Sequence, residues 1–289
     1  MKTAIVLAAL LYSLDAVGQD AGFVCTAWAV PDAGVTDAGS GSAGCGQPAS
    51  VGTTDRAITV AGVVRQYRQS IPLATYDPQH RYRLIVGLCG CGWQGPSCQN
   101  AFLQEASGGD AIWLYPTGLQ DNACGPPPNS FGWDPTPGGA DVQLFDAIVA
   151  SAMERLCIDP DRVHVWGRSR GGFLAHTIAA TRAGLLASAA VLSSAATVTP
   201  TVALPMMVYH AQNDPAVPYS AGLSAVTAWA ATDGCVMTPA TPTTPSACSM
   251  LSCEPREVEW CSPSTGGHWP LSWAGPEALE FLLAHPRVR

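Results

Sequence analysis

The stretch Val163-His164-Val165-Trp166-Gly167-Arg168-Ser169-Arg170-Gly171-Gly172 decides the fold. It opens as a short strand and runs straight into Gly167-Arg168-Ser169-Arg170-Gly171, a G-x-S-x-G pattern. Phe173 to Ala183, which follows, has helical character. Strand, sharp turn and helix are the context that makes this pattern a nucleophile elbow. A turn that tight strains the serine backbone and holds the hydroxyl clear of the sheet. Gly167 and Gly171, without side chains, let strand and helix approach closely. The backbone N–H of Arg170 then falls at a helix N-terminus, where it can stabilise an oxyanion.

Outward from the elbow, strands alternate with helices. Ala57 to Val60 and Val63 to Ile71 read as a hairpin, with β-branched residues and alternation. Arg83 to Leu88 is a continuous apolar run of the kind buried in a parallel sheet. It ends in the glycine-rich loop Cys89-Gly90-Cys91-Gly92-Trp93. Asn100 to Gly108 reads as a helix, Ala111 to Pro116 as a strand, and Gly118 to Gly138 as a long loop. Long loops in compact domains are usually functional. Asp141 to Cys157 carries Val142, Phe145, Ile148, Val149, Met153 and Leu156 on one face at the helical period. Strands are expected at Ala187–Leu192, Ala203–His210 and Arg256–Cys261, and helices at Tyr219–Ala231 and Pro276–Ala284. This alternation implies an α/β class, a doubly wound and mostly parallel sheet flanked by helices. Sites in such sheets lie at the carboxyl ends of strands. The Cys89 loop, Ser169, Asp214 and His268 all follow expected strands.

The chain's composition narrows the function. Its 289 residues are 47% hydrophobic and 12% charged, with a net charge of −8. An acidic chain without basic clusters is a poor nucleic-acid binder. Lys2 is the sole lysine, which argues against Schiff-base and P-loop chemistry. No apolar run after the N-terminus is long enough to span a bilayer. Lys2, the apolar run Ala4–Leu14 and Ala16-Val17-Gly18 read as a secretory signal cleaved after Gly18. Residues 19–55, rich in small residues, read as a low-complexity leader or linker, and residues 56–289 as the catalytic domain. In an exported chain the eleven cysteines read as disulfides rather than metal ligands. No metal or cofactor is expected.

A serine nucleophile needs a base, and the base an orienting carboxylate, in the chain order serine, acid, histidine. His176 lies on the elbow helix and cannot easily reach back. His210 is at a strand end before any later acid, and His285 is in the terminal helix. His268, on the Gly266-Gly267 loop, can be aimed freely. Asp214 follows a strand directly, whereas Asp233 beside Gly234 reads as a helix cap. Glu254, Glu257 and Glu259 are close in sequence to His268 and are second choices.

The chain from about Arg65 to Pro270 resembles the secreted polyhydroxybutyrate depolymerase and feruloyl esterase group of α/β-hydrolases. The residues that carry the resemblance are Arg65-Gln66-Tyr67-Arg68, the Cys89-Gly90-Cys91-Gly92 loop, Leu156-Cys157-Ile158-Asp159, the elbow, His210 to Pro218, and Gly266-Gly267-His268-Trp269-Pro270. The resemblance implies Ser169, Asp214 and His268 as the catalytic triad. Three departures stand out. Cys89 occupies the position of the group's loop histidine, Ala211 that of a glycine, and Arg168 and Arg170 flank the serine.

The expected protein is a secreted, monomeric serine esterase. Ser169 attacks, His268 relays the proton and Asp214 holds the imidazole. The backbone N–H groups of Arg170 and Cys91 form the oxyanion hole, and Arg168, Trp93 and Trp269 bind substrate. The resemblance favours feruloyl or acetyl esters of plant polysaccharides, with an aliphatic polyester as the alternative. A catalytically inactive polymer-binding protein on the same fold is the rival of another class.

The cysteines carry a separate expectation. Cys235, Cys248, Cys253 and Cys261 can form two bridges that fix the histidine loop, Cys91, Cys98 and Cys124 lie near the other wall of the site, and a Cys25–Cys45 bridge would close a small loop near the start. The group often has a cysteine at the position of Ala180 that could bridge Cys157. With alanine there, Cys157 is expected to be a buried free thiol, and Cys89 is the second candidate.

Overall fold

The computed structural model describes residues 41–72, 74–102, 110–128, 130–243, 247–253 and 256–287. The expected signal and Cys25 lie outside the described residues. In chain order the elements are β1 (Gly52–Val60), β2 (Val63–Ile71), β3 (Tyr82–Leu88), α1 (Gly95–Ala101), β4 (Ala111–Pro116), β5 (Leu119–Gln120), β6 (Phe131–Gly132), α2 (Ala140–Arg155), β7 (Ile158–Arg168), α3 (Arg170–Thr181), β8 (Ser188–Leu192), β9 (Met206–Tyr209), α4 (Tyr219–Thr232), β10 (Val236–Pro242), β11 (Cys248–Ser252), β12 (Val258–Cys261) and α5 (Ala274–Ala284).

Among the described residues the main sheet has ten strands in the order β1-β2-β4-β3-β7-β8-β9-β12-β11-β10. From β4 to β12 every pairing is parallel, and antiparallel strands extend the sheet at both edges. Side chains alternate between two apolar layers. Leu84 and Val86 of β3 face one layer, shared with Phe145, Ile148, Leu174, Ile178 and Trp229 of α2, α3 and α4. Ile85 faces the other, with Trp113, Trp166, Leu279 and Leu282. Helices therefore cover both faces, as the alternation of elements implied.

The ends of the elements depart from expectation in places. The helix after the Cys89 loop spans Gly95–Ala101, not Asn100–Gly108. Pro96 sits in its first turn, a favoured position, and Ser97 Oγ accepts a hydrogen bond from Gln94 N at 3.1 Å. Residues 103–109 lie outside the described residues. Strands β10 and β11 are absent from the sequence reading; β11 pairs β12, and β10 pairs β11 at the far edge.

Residues 41–55 are tied to the domain. Ser42 Oγ donates to Leu156 O at 2.6 Å and accepts from Ile158 N at 2.8 Å. Cys45 is bridged to Cys157. The expectation of a free thiol at Cys157 is therefore wrong, and so is the pairing of Cys45 with Cys25. Gly41 and Gly44 explain the misreading. A side chain at Gly44 would collide with the Arg155–Leu156 backbone, and one at Gly41 with Cys45 Sγ. Their small size, read as linker composition, is what lets this turn segment close on the end of α2. Cys89 is bridged to Cys98 and Cys91 to Cys124. Cys235–Cys253 and Cys248–Cys261 are the two bridges expected near the histidine loop.

Candidate active site

The elbow is strained as its sequence requires. Ser169 has φ +52° and ψ −128°, a region costly for a residue with a side chain. Hydrogen bonds hold it there: its N–H donates to Leu192 O of β8 at 2.9 Å, and its carbonyl accepts from Gly172 N at 2.8 Å. A Cβ on Gly167 would lie 2.6 Å from Ala175 Cβ, so β7 and α3 meet only because residue 167 is glycine.

Three side chains from separate loops meet here. His268 Nε2 is 2.8 Å from Ser169 Oγ. His268 Nδ1 is 2.9 Å from Asp214 Oδ2 and 3.1 Å from Oδ1. Asp214 also accepts from Ala216 N at 2.8 Å and Val217 N at 3.0 Å. Burial pushes its carboxyl up, but the bonds from Val217 N, His268 and Ala216 N outweigh this and hold it below the usual carboxylate range. The histidine loop uses left-handed glycines, with Gly266 at φ +133° and Gly267 at φ +64°. Gly267 N donates to Asn213 Oδ1 at 2.8 Å, and Tyr209 Oη accepts from Leu271 N at 3.1 Å. Asn213 and Tyr209 thus fix the histidine loop to the acid loop. Sequence reading missed both, although Asn213 adjoins the chosen aspartate.

Of the histidines set aside, His210 approaches the site, its Nε2 3.5 Å from Asp214 Oδ2. His176 accepts from Trp229 Nε1 at 3.1 Å, and His164 Nδ1 is 2.8 Å from Ser188 Oγ. Burial pushes both imidazoles down to about 3, so both are neutral. His210 Nε2 meets Val217 O at 3.0 Å, and His285 meets Glu257 at 2.6 Å. Asp233, with one oxygen accepting from Leu204 N at 2.8 Å, lies away from this cluster.

The other wall is the Cys89–Trp93 loop. A Cβ on Gly90 would stand 3.0 Å from Ser169 Cβ and 3.4 Å from its Oγ, so this loop faces the hydroxyl. The loop is held on several sides. Trp133 Nε1 donates to Cys89 O at 2.7 Å, Gly92 N donates to Phe131 O at 2.7 Å, and Cys91 is bridged to Cys124. The long loop read as functional thus braces the wall of the site. Arg170 is drawn into the same brace, its Nη2 3.0 Å from Asp121 Oδ2.

Arg168, Trp93 and Trp269 also come together. The Arg168 guanidinium lies 3.7 Å from the centre of the Trp269 ring and 5.6 Å from that of Trp93. Burial lowers Arg168 to about 10, which leaves it charged at neutral pH. A hydroxyl in line with an imidazole and a buried carboxylate can be activated for attack on a carbonyl. Among the described residues the one cluster of metal-ligand type is Cys248, Glu259 and Cys261, and its two sulfurs are joined in a disulfide. No helix among the described residues is long and apolar enough to cross a membrane.

No family model matches the chain. It is 29% identical over 214 residues to a probable feruloyl esterase C of Aspergillus terreus, covering 70% of this chain and 72% of the relative. Feruloyl esterase C of Emericella nidulans is 29% identical over 210 residues, covering 68% and 71%. Among solved structures, the acetyl xylan esterase of Aspergillus awamori superposes with a TM-score of 0.60 at 16% identity, covering 79% of this chain and 98% of that one.

Proposed function

Because the chain is a carboxylic ester hydrolase of the feruloyl esterase-like α/β-hydrolases, we propose that it cleaves feruloyl or acetyl esters of plant polysaccharides outside the cell, with Ser169, His268 and Asp214 as its triad. The observation that carries this reading is the unbroken series Ser169 Oγ, His268 Nε2, His268 Nδ1, Asp214. Ser169 Oγ attacks the ester carbonyl carbon while its proton passes to His268 Nε2. Asp214 holds the ring through Nδ1 and stabilises the imidazolium. The N–H groups of Arg170 and Cys91 receive the negative oxygen. Collapse breaks the bond to the alcohol, which leaves with the proton from His268. Water, deprotonated by the same ring, then frees the acid and restores Ser169.

Five disulfides among the described residues support export to an oxidising compartment, with residues 1–18 as the removed signal, residues 19–40 as a leader, and the catalytic domain working as a monomer. Hydrolysis of 4-nitrophenyl acetate by the protein and by Ser169→Ala tests the chemistry. The variant should lose activity by a thousandfold or more, on the order expected for a triad nucleophile. Equal rates would favour an inactive polymer-binding protein. Methyl ferulate, acetylated xylan and a polyhydroxybutyrate film, assayed side by side, test the substrate. Clearing of the film without release from the first two would replace this substrate class by a polyester.

A further inference from the structure

The residues bordering the candidate triad form a second feature that ester hydrolysis alone does not require. Arg168 precedes Ser169 and Trp269 follows His268, so both flank the reacting groups by sequence. They share a cavity of about 190 Å³ with Trp93, Phe102, Trp166 and Leu192, and among the described residues Arg168 is its only charged lining residue. An apolar cavity of about 150 Å³ holds a benzene ring, so this one takes a ring-sized or short-chain group. It stays open on one side, because Trp269 is 57% exposed.

A cation in such a cavity normally has a counter-charge. Arg65, Arg68, Arg83, Arg162, Arg170, Arg182 and Arg287 each pair with an aspartate. Among the described residues Arg168 has no carboxylate partner, and its buried Nε has no hydrogen-bond partner. Trp269 covers one face of the guanidinium, which leaves the in-plane N–H donors for a ligand. Arginine stacked on an aromatic ring is pre-organised for a carboxylate, which it can take with two parallel bonds. A neutral hydroxyl would not offset the cost of holding the charge away from water.

Resting on the esterase reading above, we propose that Arg168, with Trp93 and Trp269, forms a subsite for a free carboxylate, so that an ester carrying a second, ionised carboxyl on a ring-sized or short-chain body is cleaved faster than its uncharged isostere. In a chain of net charge −8, such a substrate is favoured by a dedicated cation.

The test compares 4-nitrophenyl hemiglutarate with its uncharged isostere 4-nitrophenyl 5-methylhexanoate. The ratio of kcat/KM, anionic over neutral, should be tenfold or more, and Arg168→Met should lower that ratio at least tenfold. Arg168→Lys, which keeps charge but loses the planar fork, should fall between. A ratio of one or less, or one unmoved by Arg168→Met, overturns the subsite while leaving the esterase reading intact. Calorimetric binding of the hemiglutarate to Ser169→Ala separates the two claims. Binding weakened at least tenfold by adding Arg168→Met supports the subsite even if neither ester is cleaved, the outcome that would sink the esterase reading. Binding indifferent to Arg168 refutes the subsite. Loss of fold in Arg168→Met would show as a lowered Tm, and Arg168→Gln then replaces it.

Discussion

Asp214 illustrates how much of the site rests on single residues. Two backbone N–H groups and His268 hold its carboxylate ionised. Its folded pKa is lowered, so its contribution to stability is present above the usual carboxylate range and is lost as pH falls through the lower folded value. Asp214→Asn keeps the size but removes the charge and offers an N–H donor, which favours the wrong tautomer of His268. The account predicts a loss of about a thousandfold or more in kcat, with KM little changed and Tm within a few degrees of the parent. A kcat within tenfold of the parent would remove Asp214 from the triad. At this scale the sequence was legible where chain order and loop position left few options, as for the meeting of the Ser169, Asp214 and His268 side chains. It was opaque where a role depends on a distant loop. Nothing in the sequence near Arg170 names Asp121 as its partner, and nothing near Gly267 names Asn213.

Helix α5 closes one face of the sheet through Ala278, Leu279 and Leu282, and its first turn brings Glu277 to buried Glu259 of β12. Burial, then the Glu259 charge, pushes Glu277 up to about 7. Burial also pushes Glu259 up, and Thr243 Oγ1 donates to its Oε1 at 2.8 Å. The folded pKa of Glu277 is raised above its unfolded value. Its contribution is therefore fully present below about 4.5 and is lost as pH rises through about 7. Glu277→Gln removes that loss, so its Tm should exceed the parent's by a few degrees at pH 8 and much less at pH 4.5. An equal shift at both pH values would mean that the pair shares no proton.

The Cys45–Cys157 bridge closes a loop with a sequence separation of 112 onto the exit of α2. Replacing both cysteines by alanine should cost about 2–5 kcal/mol, read from denaturant unfolding. No change would mean that the hydrogen bonds of Ser42 anchor the segment without it. Helices α2 to α5 were readable because their apolar faces recur at the helical period. The segment before β1 was not, because glycine and serine signal both a linker and a place where two backbones touch. Strands β10 and β11 escaped for a related reason. The sequence of β10, Val236-Met237-Thr238-Pro239-Ala240-Thr241-Pro242, contains two prolines, tolerated only at a sheet edge, where β10 lies.

Over the whole molecule, the parallel centre of the sheet delivers the site. The turns after β3, β7, β9 and β12 all leave from one end, and they carry the Cys89 loop, Ser169, Asp214 and His268. The topology was legible because each of these strands is a short apolar run ending in a turn. The contact of the Arg168 guanidinium with the Trp269 ring was not, since the end of β7 and the two loops carrying Trp93 and Trp269 are brought together only by the closed sheet. The central claim is that this convergence makes Ser169 uniquely nucleophilic. The direct measurement is treatment with a fluorophosphonate followed by peptide mass spectrometry. The account predicts that Ser169 displaces fluoride and carries one phosphonyl group, and that His268→Ala slows labelling at least a hundredfold. Labelling of another serine, or equal labelling in the protein and in His268→Ala, would contradict it.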